Sequence, residues 1–323
     1  MVYAMIAHII FPDSETRKKV EIRKVTRVRI ESGWEMLTST AEIVIARNVK
    51  FFDKLKVKQV FKKGDPVEIH LGYDQTYIKE FVGYITEVSA TAPITIKCED
   101  AMYLLKRHPV NVSFKETSVS ALLDAILPEG FKYDAIEAEI GTVRYAKTTV
   151  SQVLEKLKDD FGLYSYIKDF DTLVVGKIYQ DDDGVAPVKF NLNKNVASDN
   201  LNYKSKEDLF IKVKAVSTLK NGDKLEVEVG DDNGVQKQLS YYNITSKIEL
   251  KKLAQLDYDK FKVDGFDGDF DAFGIPSVKH GLRADLESPQ YPERDGTYWI
   301  KKVLKIYDES PKYRQTITLD TKV

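Results

Sequence analysis

From the N-terminus to about residue 98 the chain alternates apolar and polar positions with a period of two. Val20-Glu21-Ile22-Arg23-Lys24-Val25 and Ala41-Glu42-Ile43-Val44-Ile45 are the plainest examples. That period predicts half-buried antiparallel strands, and the stretch from Met1 to Asp13 reads as an opening strand. The clearest unit runs from Phe61 to Tyr73 and continues in Phe81–Val88, two strands joined by a polar turn. Val67, Ile69 and Leu71 share one face; Glu68 and His70 share the other, which predicts an exposed His70. Pro66 suits a strand start, where its missing N–H costs no ladder bond. Ile94–Cys98 is another alternating strand, and Glu99–Arg107 predicts a short helix with acids in its first turn and bases in its last, closed at His108-Pro109.

After Pro109 the period lengthens. Ser118 to Leu127 carries apolar residues at helical spacing and stops at Pro128. Thr149 and Gln152 have capping-box spacing, Val150, Val153, Leu154, Leu157 and Phe161 form one stripe, and Gly162 suits a left-handed C-terminal position. Tyr164–Ile167 and Thr172–Val175 read as a hairpin. Residues 110–178 therefore form a small α/β module whose stripes are core. Strand patterns return in Phe210–Val216 and Lys224–Val229, joined at the tight-turn pair Asn221-Gly222. One helix interrupts them, from a Ser246 cap to Phe261. The chain ends in three strands around Ala284–Leu286, Gly296–Val303 and Thr316–Asp320.

This ending echoes the first region. Gly64 before a strand, Gly83 at the beginning of the next and Ile94–Cys98 recur in order as Gly281, Gly296 and Ile317–Leu319, with gaps of 83 − 64 = 19 and 296 − 281 = 15 residues. Duplication and convergence of two glycine-turned meanders both explain such an echo.

Composition narrows the function. A chain of 323 residues suits about two domains. With 49 Lys and Arg against 50 Asp and Glu, the net charge is −1, without the basic excess of a nucleic-acid reader. A single Cys98 excludes an internal disulfide, and His8, His70, His108 and His280 show no zinc-ligand spacing. No apolar run approaches membrane-span length, and the N-terminus has no export signal. Asp264–Asp271 places acids at alternate positions like a calcium loop. Counted from Asp267, however, Ala272 and Val278 stand where the turn glycine and the bidentate glutamate belong. Asp181–Asp183 has too few neighbouring ligands. The common elbow, phosphate-loop, dinucleotide and zinc motifs are missing. No catalytic, cofactor or metal residue is assigned; a carboxylate pair among 50 acids stays open, as does sugar stacking on 18 Tyr and 15 Phe.

Phe61-x-x-Gly64-Asp65-x-Val67-x-Ile69-x-Leu71-Gly72-Tyr73, Phe81-x-Gly83-Tyr84-Ile85 and Cys98-x-Asp100-x-x-x-Leu104 resemble phage tail baseplate hub proteins, the group of late control protein D and the central hub of contractile tails. Leu253-Ala254, Gly265 to Pro276, Gly281 and Tyr291 to Ile300 resemble the family's closing barrel, so the resemblance covers most of the chain. It implies a mainly β chain with two related antiparallel β-barrel domains, 1–109 and 179–323, the second with a helical insertion near 246–261, around the small α/β module 110–178. It further implies a structural, non-enzymatic homotrimer whose six barrels form a pseudo-sixfold ring between a hexameric tail tube and a threefold spike. The implied partners are the tail tube protein, a separate spike protein and other baseplate proteins, with no cofactor, no membrane insertion and no sequence-specific nucleic acid. The implied location is the virion tail baseplate, assembled in the bacterial host cytoplasm. Repeats of a fused spike and a lysozyme-like module are absent from the sequence. Two readings from other classes stand beside this one: a cell-wall glycan-binding module and a carboxylate-dependent glycan hydrolase.

Overall fold

The computed structural model describes residues 4–14, 17–46, 60–89, 92–180, 184–310 and 312–323. Strands dominate it. β1 (Met5–Phe11), β2 (Val20–Ile22), β3 (Arg27–Gly33) and β4 (Thr40–Ile45) precede the meander β5 (Pro66–Tyr73), β6 (Thr76–Val88) and β7 (Ile94–Glu99). Val67, Ile69 and Leu71 are fully buried with Ile9, Ile43, Ile85 and Ile96, as the alternation predicts. His70 is only partly exposed, because its ring nitrogen lies 3.2 Å from Glu68 Oε2 and β1 places His8 directly opposite.

Two expectations need correction. The helix expected over Glu99–Arg107 is a single turn, Met102–Leu105, with no acid in its first turn. Glu99 ends β7, and Asp100 is buried just before the turn: its carboxylate accepts from Met102 N, the first residue of the turn, at 3.0 Å and from Ser39 N, 61 positions away, at 2.7 Å. Gly83 does not begin a strand. It lies inside β6, where a Cβ would come 2.1 Å from the Glu99 carbonyl oxygen.

Residues 109–175 fold as β8 (Pro109–Ser118), α1 (Val119–Ile126), β9 (Lys132–Ala135), β10 (Glu139–Thr149), α2 (Val150–Phe161), β11 (Ser165–Lys168) and β12 (Thr172–Val175). Ser118 Oγ accepts from Ala121 N at the head of α1, and Gln152 accepts from Thr149 N at the head of α2. Gly162 closes α2 at φ 71°. Leu122, Leu123, Ile126, Val153, Leu154 and Leu157 are buried in one core.

The remainder comprises β13 (Val188–Asn191), β14 (Val196–Lys204), β15 (Ile211–Thr218), β16 (Lys224–Gly230), β17 (Val235–Tyr242), α3 (Lys247–Phe261), β18 (Gly265–Phe273), β19 (Arg283–Glu287), β20 (Gly296–Asp308) and β21 (Lys312–Lys322). β15 pairs antiparallel with β16 and parallel with β17, and α3 covers them, burying Val213, Ala215, Leu250 and Ala254 in a small core of their own. The helix near 246–261 thus comes with three strands, all inserted between β14 and β18.

Among the described residues, thirteen strands join one sheet. Its first-half order is β3-β4-β7-β6-β5-β1 and its second-half order is β14-β18-β21-β20-β19-β13. Taken in chain order, the two series match strand for strand. One pairing differs: β1 is antiparallel to β5, while β13 is parallel to β19. The match extends to register. The β6–β7 ladder has a shift between Ile85 and Glu87, and the β20–β21 ladder has one between Ile300 and Lys302. Aligning these bulges sets Thr95-Ile96-Lys97-Cys98-Glu99 against Thr316-Ile317-Thr318-Leu319-Asp320, with Cys98 and Leu319, and Ile96 and Ile317, as the buried members.

Candidate functional site

The residues that a catalytic reading would need are dispersed or occupied. Among the described residues no group of three or more His, Cys, Asp or Glu side chains can hold a metal ion. The Asp264–Asp271 run lies mainly on β18, where Asp267, Asp269 and Asp271, two residues apart, share the face opposite the buried Phe270 and Ala272 and are spread along the strand rather than wrapped round a loop. Asp267 pairs with Lys204, and Asp271 accepts from Thr316 Oγ1 at 2.5 Å and from Ser198 Oγ at 3.3 Å, so these acids are cross-strand partners. Asp181–Asp183 lie outside the described residues. Burial pushes the Cys98 thiol up, away from the thiolate form a nucleophile needs. His8 and His70 meet across β1 and β5 with ring centroids 6.1 Å apart, a juxtaposition their separation in sequence concealed. Each imidazole instead takes a carboxylate: Glu21 at 2.9 Å and Glu68 at 3.2 Å.

A buried polar network lies where the halves meet. β20 pairs with β3 from Lys302↔Gly33 to Asp308↔Arg27, and the Arg27–Asp308 ion pair (2.9 Å) closes that ladder. Behind it, Glu80 of β6 and Lys305 of β20 form a buried ion pair. Lys305 Nζ also donates to Ser277 Oγ at 2.6 Å, and Tyr313 OH donates to the other Glu80 oxygen at 2.9 Å. Burial pulls the Lys305 ammonium down in pKa while Glu80 opposes the shift. Tyr73 OH donates to the Tyr313 carbonyl at 2.7 Å, and Gln315 donates to the carbonyls of Phe273 and Pro276. Sequence reading treats charged residues as surface, so it missed Glu80 and Lys305.

A cavity of about 60 Å³ opens beside this network, bounded by Ser39, Glu80, Asp100, Tyr166, His280 and Lys305. The first half, the middle module and the second half each contribute a wall. His280 is buried edge-on to Tyr166 at 4.7 Å, and neither ring nitrogen has a hydrogen-bond partner among the described residues. Desolvation, reinforced by Lys279, pushes its pKa down to about 4. Desolvation pushes Asp100 the other way, up to about 7, against its two backbone hydrogen bonds. The three units of the fold meet around this cavity.

The sheet ends differ in kind. At one end, β2 is three residues long and carries Glu21, a short charged edge that discourages further pairing. At the other, β14 runs nine residues with mostly exposed side chains, and no described strand pairs with its outer edge. An edge of that length offers a row of unpaired N–H and C=O groups to another chain. Among the described residues, no helix is long and apolar enough to cross a membrane.

No protein-family model matches the sequence, and no curated protein matches it. Solved structures do match the fold. A tail protein from Neisseria meningitidis is 16% identical with a TM-score of 0.62, covering 99% of this chain and 97% of that one. The 43 kDa tail protein of prophage MuSo2 from Shewanella oneidensis is 14% identical with a TM-score of 0.62, covering 97% of each chain. A component of the E. coli type VI secretion system, described as structurally similar to the T4 tail proteins gp27 and gp5, is 12% identical with a TM-score of 0.55, covering 92% of this chain and 73% of that one. The chain therefore has the mainly β fold of these tail proteins and of the type VI secretion component, along nearly its whole length.

Proposed function

We propose that this chain is a structural hub of a phage or phage-derived tail, a homotrimer that joins a hexameric tail tube to a threefold spike. The single observation that carries this reading is the matched strand order of the two halves. A trimer of a chain holding two like units presents 3 × 2 = 6 similar surfaces, which suits contact with a sixfold tube on one side and a threefold partner on the other. On this reading residues 1–109 and 179–323 are related barrel domains, and 110–178 decorates their ring. The partners are the tail tube protein, a separate spike chain and other baseplate proteins, and the place of work is the virion tail. The likeness to tail proteins over nearly the whole chain supports the same reading. A hub of this type acts by geometry, so its chemistry lies in strand edges and salt bridges.

Electron microscopy of the full chain mixed with its tube protein tests the proposal. Threefold rings seated on tube ends are expected. Saturable binding to cell-wall glycan, or glycan turnover, by a chain that never caps tubes would overturn it in favour of a glycan-binding or hydrolytic role.

A further inference from the structure

We infer that the open outer edge of β14 receives the end of β6 from a second copy of this chain, antiparallel, with Glu87 opposite Lys204. The inference rests on the hub reading and adds which edges mate and in what register.

The argument uses the one place where such a joint already exists. Within the chain, β3 holds β4 on one edge and β20 on the other. β14 is the counterpart of β3, and β18, the counterpart of β4, fills one of its edges. The edge left open is the one on which β3 holds β20. The counterpart of β20 is β6, and β6 is free in the corresponding stretch. Ile85 still bonds on the β5 side, its N–H to the Asp65 carbonyl at 2.9 Å and its carbonyl to the Gly64 N–H at 2.7 Å. Beyond Ile85 no described strand lies on that side. A chain whose second half joins its own first half through β20 and β3 thus carries the two unused members of the same joint, the end of β6 and the outer edge of β14.

Register follows from the ladders. Val28 faces Ile43, which faces Ile96; Asp199 faces Phe270, which faces Ile317. Since Ile96 and Ile317 correspond, Val28 corresponds to Asp199, an offset of 199 − 28 = 171. Gly33 then corresponds to Lys204. The aligned bulges make Glu87 the counterpart of Lys302 and Val88 that of Val303. The internal pairs Lys302↔Gly33 and Val303↔Ser32 therefore become Glu87↔Lys204 and Val88↔Tyr203 between copies.

The side chains agree with this register. Glu87 is 60% exposed and bonded to Lys97; Lys204 is 44% exposed and bonded to Asp267. Pairing the two strands sets the charges in the order Lys97, Glu87, Lys204, Asp267, alternating in sign across the joint. Opposite charges directly across a ladder favour that register, and like charges disfavour it. The contact is head-to-tail, so each added copy presents the same open edges until a ring closes.

The test uses the full chain with Glu87→Cys and Lys204→Cys together, oxidised at the highest soluble concentration, against each single variant; Cys98 is buried and gives little background. Facing positions on adjacent strands bring Cβ atoms within disulfide reach. Covalent oligomers from the double variant alone are expected. Glu87→Lys should weaken assembly, measured by mass in solution, by at least tenfold, and Glu87→Lys with Lys204→Glu should restore it. A chain that trimerises yet gives no crosslink and ignores both charge changes overturns this joint and leaves the hub reading standing. A chain that stays monomeric, even with its tube protein, overturns both.

Discussion

Glu80 and Lys305 stand 225 residues apart in the chain and form an ion pair whose side chains are 1% and 5% exposed. They come from opposite halves, so the pair exists only when the halves are docked. Removing one partner leaves the other charged and desolvated, which costs about 3–5 kcal/mol, whereas replacing both with apolar or neutral residues of similar size costs much less. Lys305→Met is therefore expected to lower stability by that amount in chemical denaturation, and Glu80→Gln with Lys305→Met to recover most of it. Equal losses in the single and double variants would mean that the charges are not coupled.

The three-way cavity predicts opposed pH responses. His280 has its pKa lowered to about 4 from an ordinary value of 6.5. Its contribution is fully present above pH 6.5 and is lost as pH falls toward 4, because the unfolded chain takes up a proton that the folded one refuses. Asp100 has its pKa raised to about 7 from 3.8. Its contribution is present below pH 3.8 and is lost as pH rises through 7. Between pH 4 and 6.5 the two slopes nearly cancel, so the native protein should show a flat stability profile there. His280→Gln is expected to gain stability as pH falls through this window, and Asp100→Asn to lose it, each by up to about 3 kcal/mol across the range. Thermal melts of the three proteins at pH 4.5, 5.5 and 6.5 check the signs, and parallel profiles would refute them.

Gly83 sets how closely β6 approaches the end of β7. A Cβ there would sit 2.1 Å from the Glu99 carbonyl oxygen and 2.7 Å from the Phe81 ring, and the first of these atoms belongs to backbone that cannot step aside cheaply. Gly83→Ala should destabilise by about 1–3 kcal/mol, and Gly83→Val by more, read as a lowered Tm. A Val variant that melts with the native protein would show that the strands can separate without cost.

What the sequence disclosed follows from what short-range patterns encode. Val67, Ile69 and Leu71 announce a face, and Gln152, Gly162 and Ser246 announce helix ends, because alternation and capping act within a few residues. The pairing of β20 with β3 joins residues roughly 270 apart, and alternation says which side of a strand is buried without saying which strand lies next to it. The same gap hid the parallel pairing of β15 with β17 and the separate core beneath α3. The glycine echo was legible in part: Gly64 and Gly281 correspond, donating to the carbonyls of Ile85 and Ile300, whereas Gly83 and Gly296 do not, and the bulges at Ile85–Glu87 and Ile300–Lys302 set the register. Glu80 and Lys305 stayed invisible as network members, and His280 as a buried ring, because burial of a polar side chain is decided by distant partners.

Trp34 tests whether the three units are locked together. Its indole N–H donates to Asp320 Oδ2 of β21 at 2.8 Å, and its ring meets Tyr164 of the middle module edge-on with centroids 4.8 Å apart. A hydrogen bond to a charged acceptor in a partly buried site contributes about 1.5–3 kcal/mol, and an edge-on aromatic pair about 0.5–1.5 kcal/mol beyond its buried area. Asp320→Ala removes the first, and Tyr164→Leu removes the second while retaining apolar bulk. Because the two contacts tie Trp34 to different units, the losses should add in the double variant if the units dock independently on the first half. A double variant no worse than Asp320→Ala alone would mean that the second half holds Trp34 in place for the middle module, so that docking proceeds in order from one unit to the next.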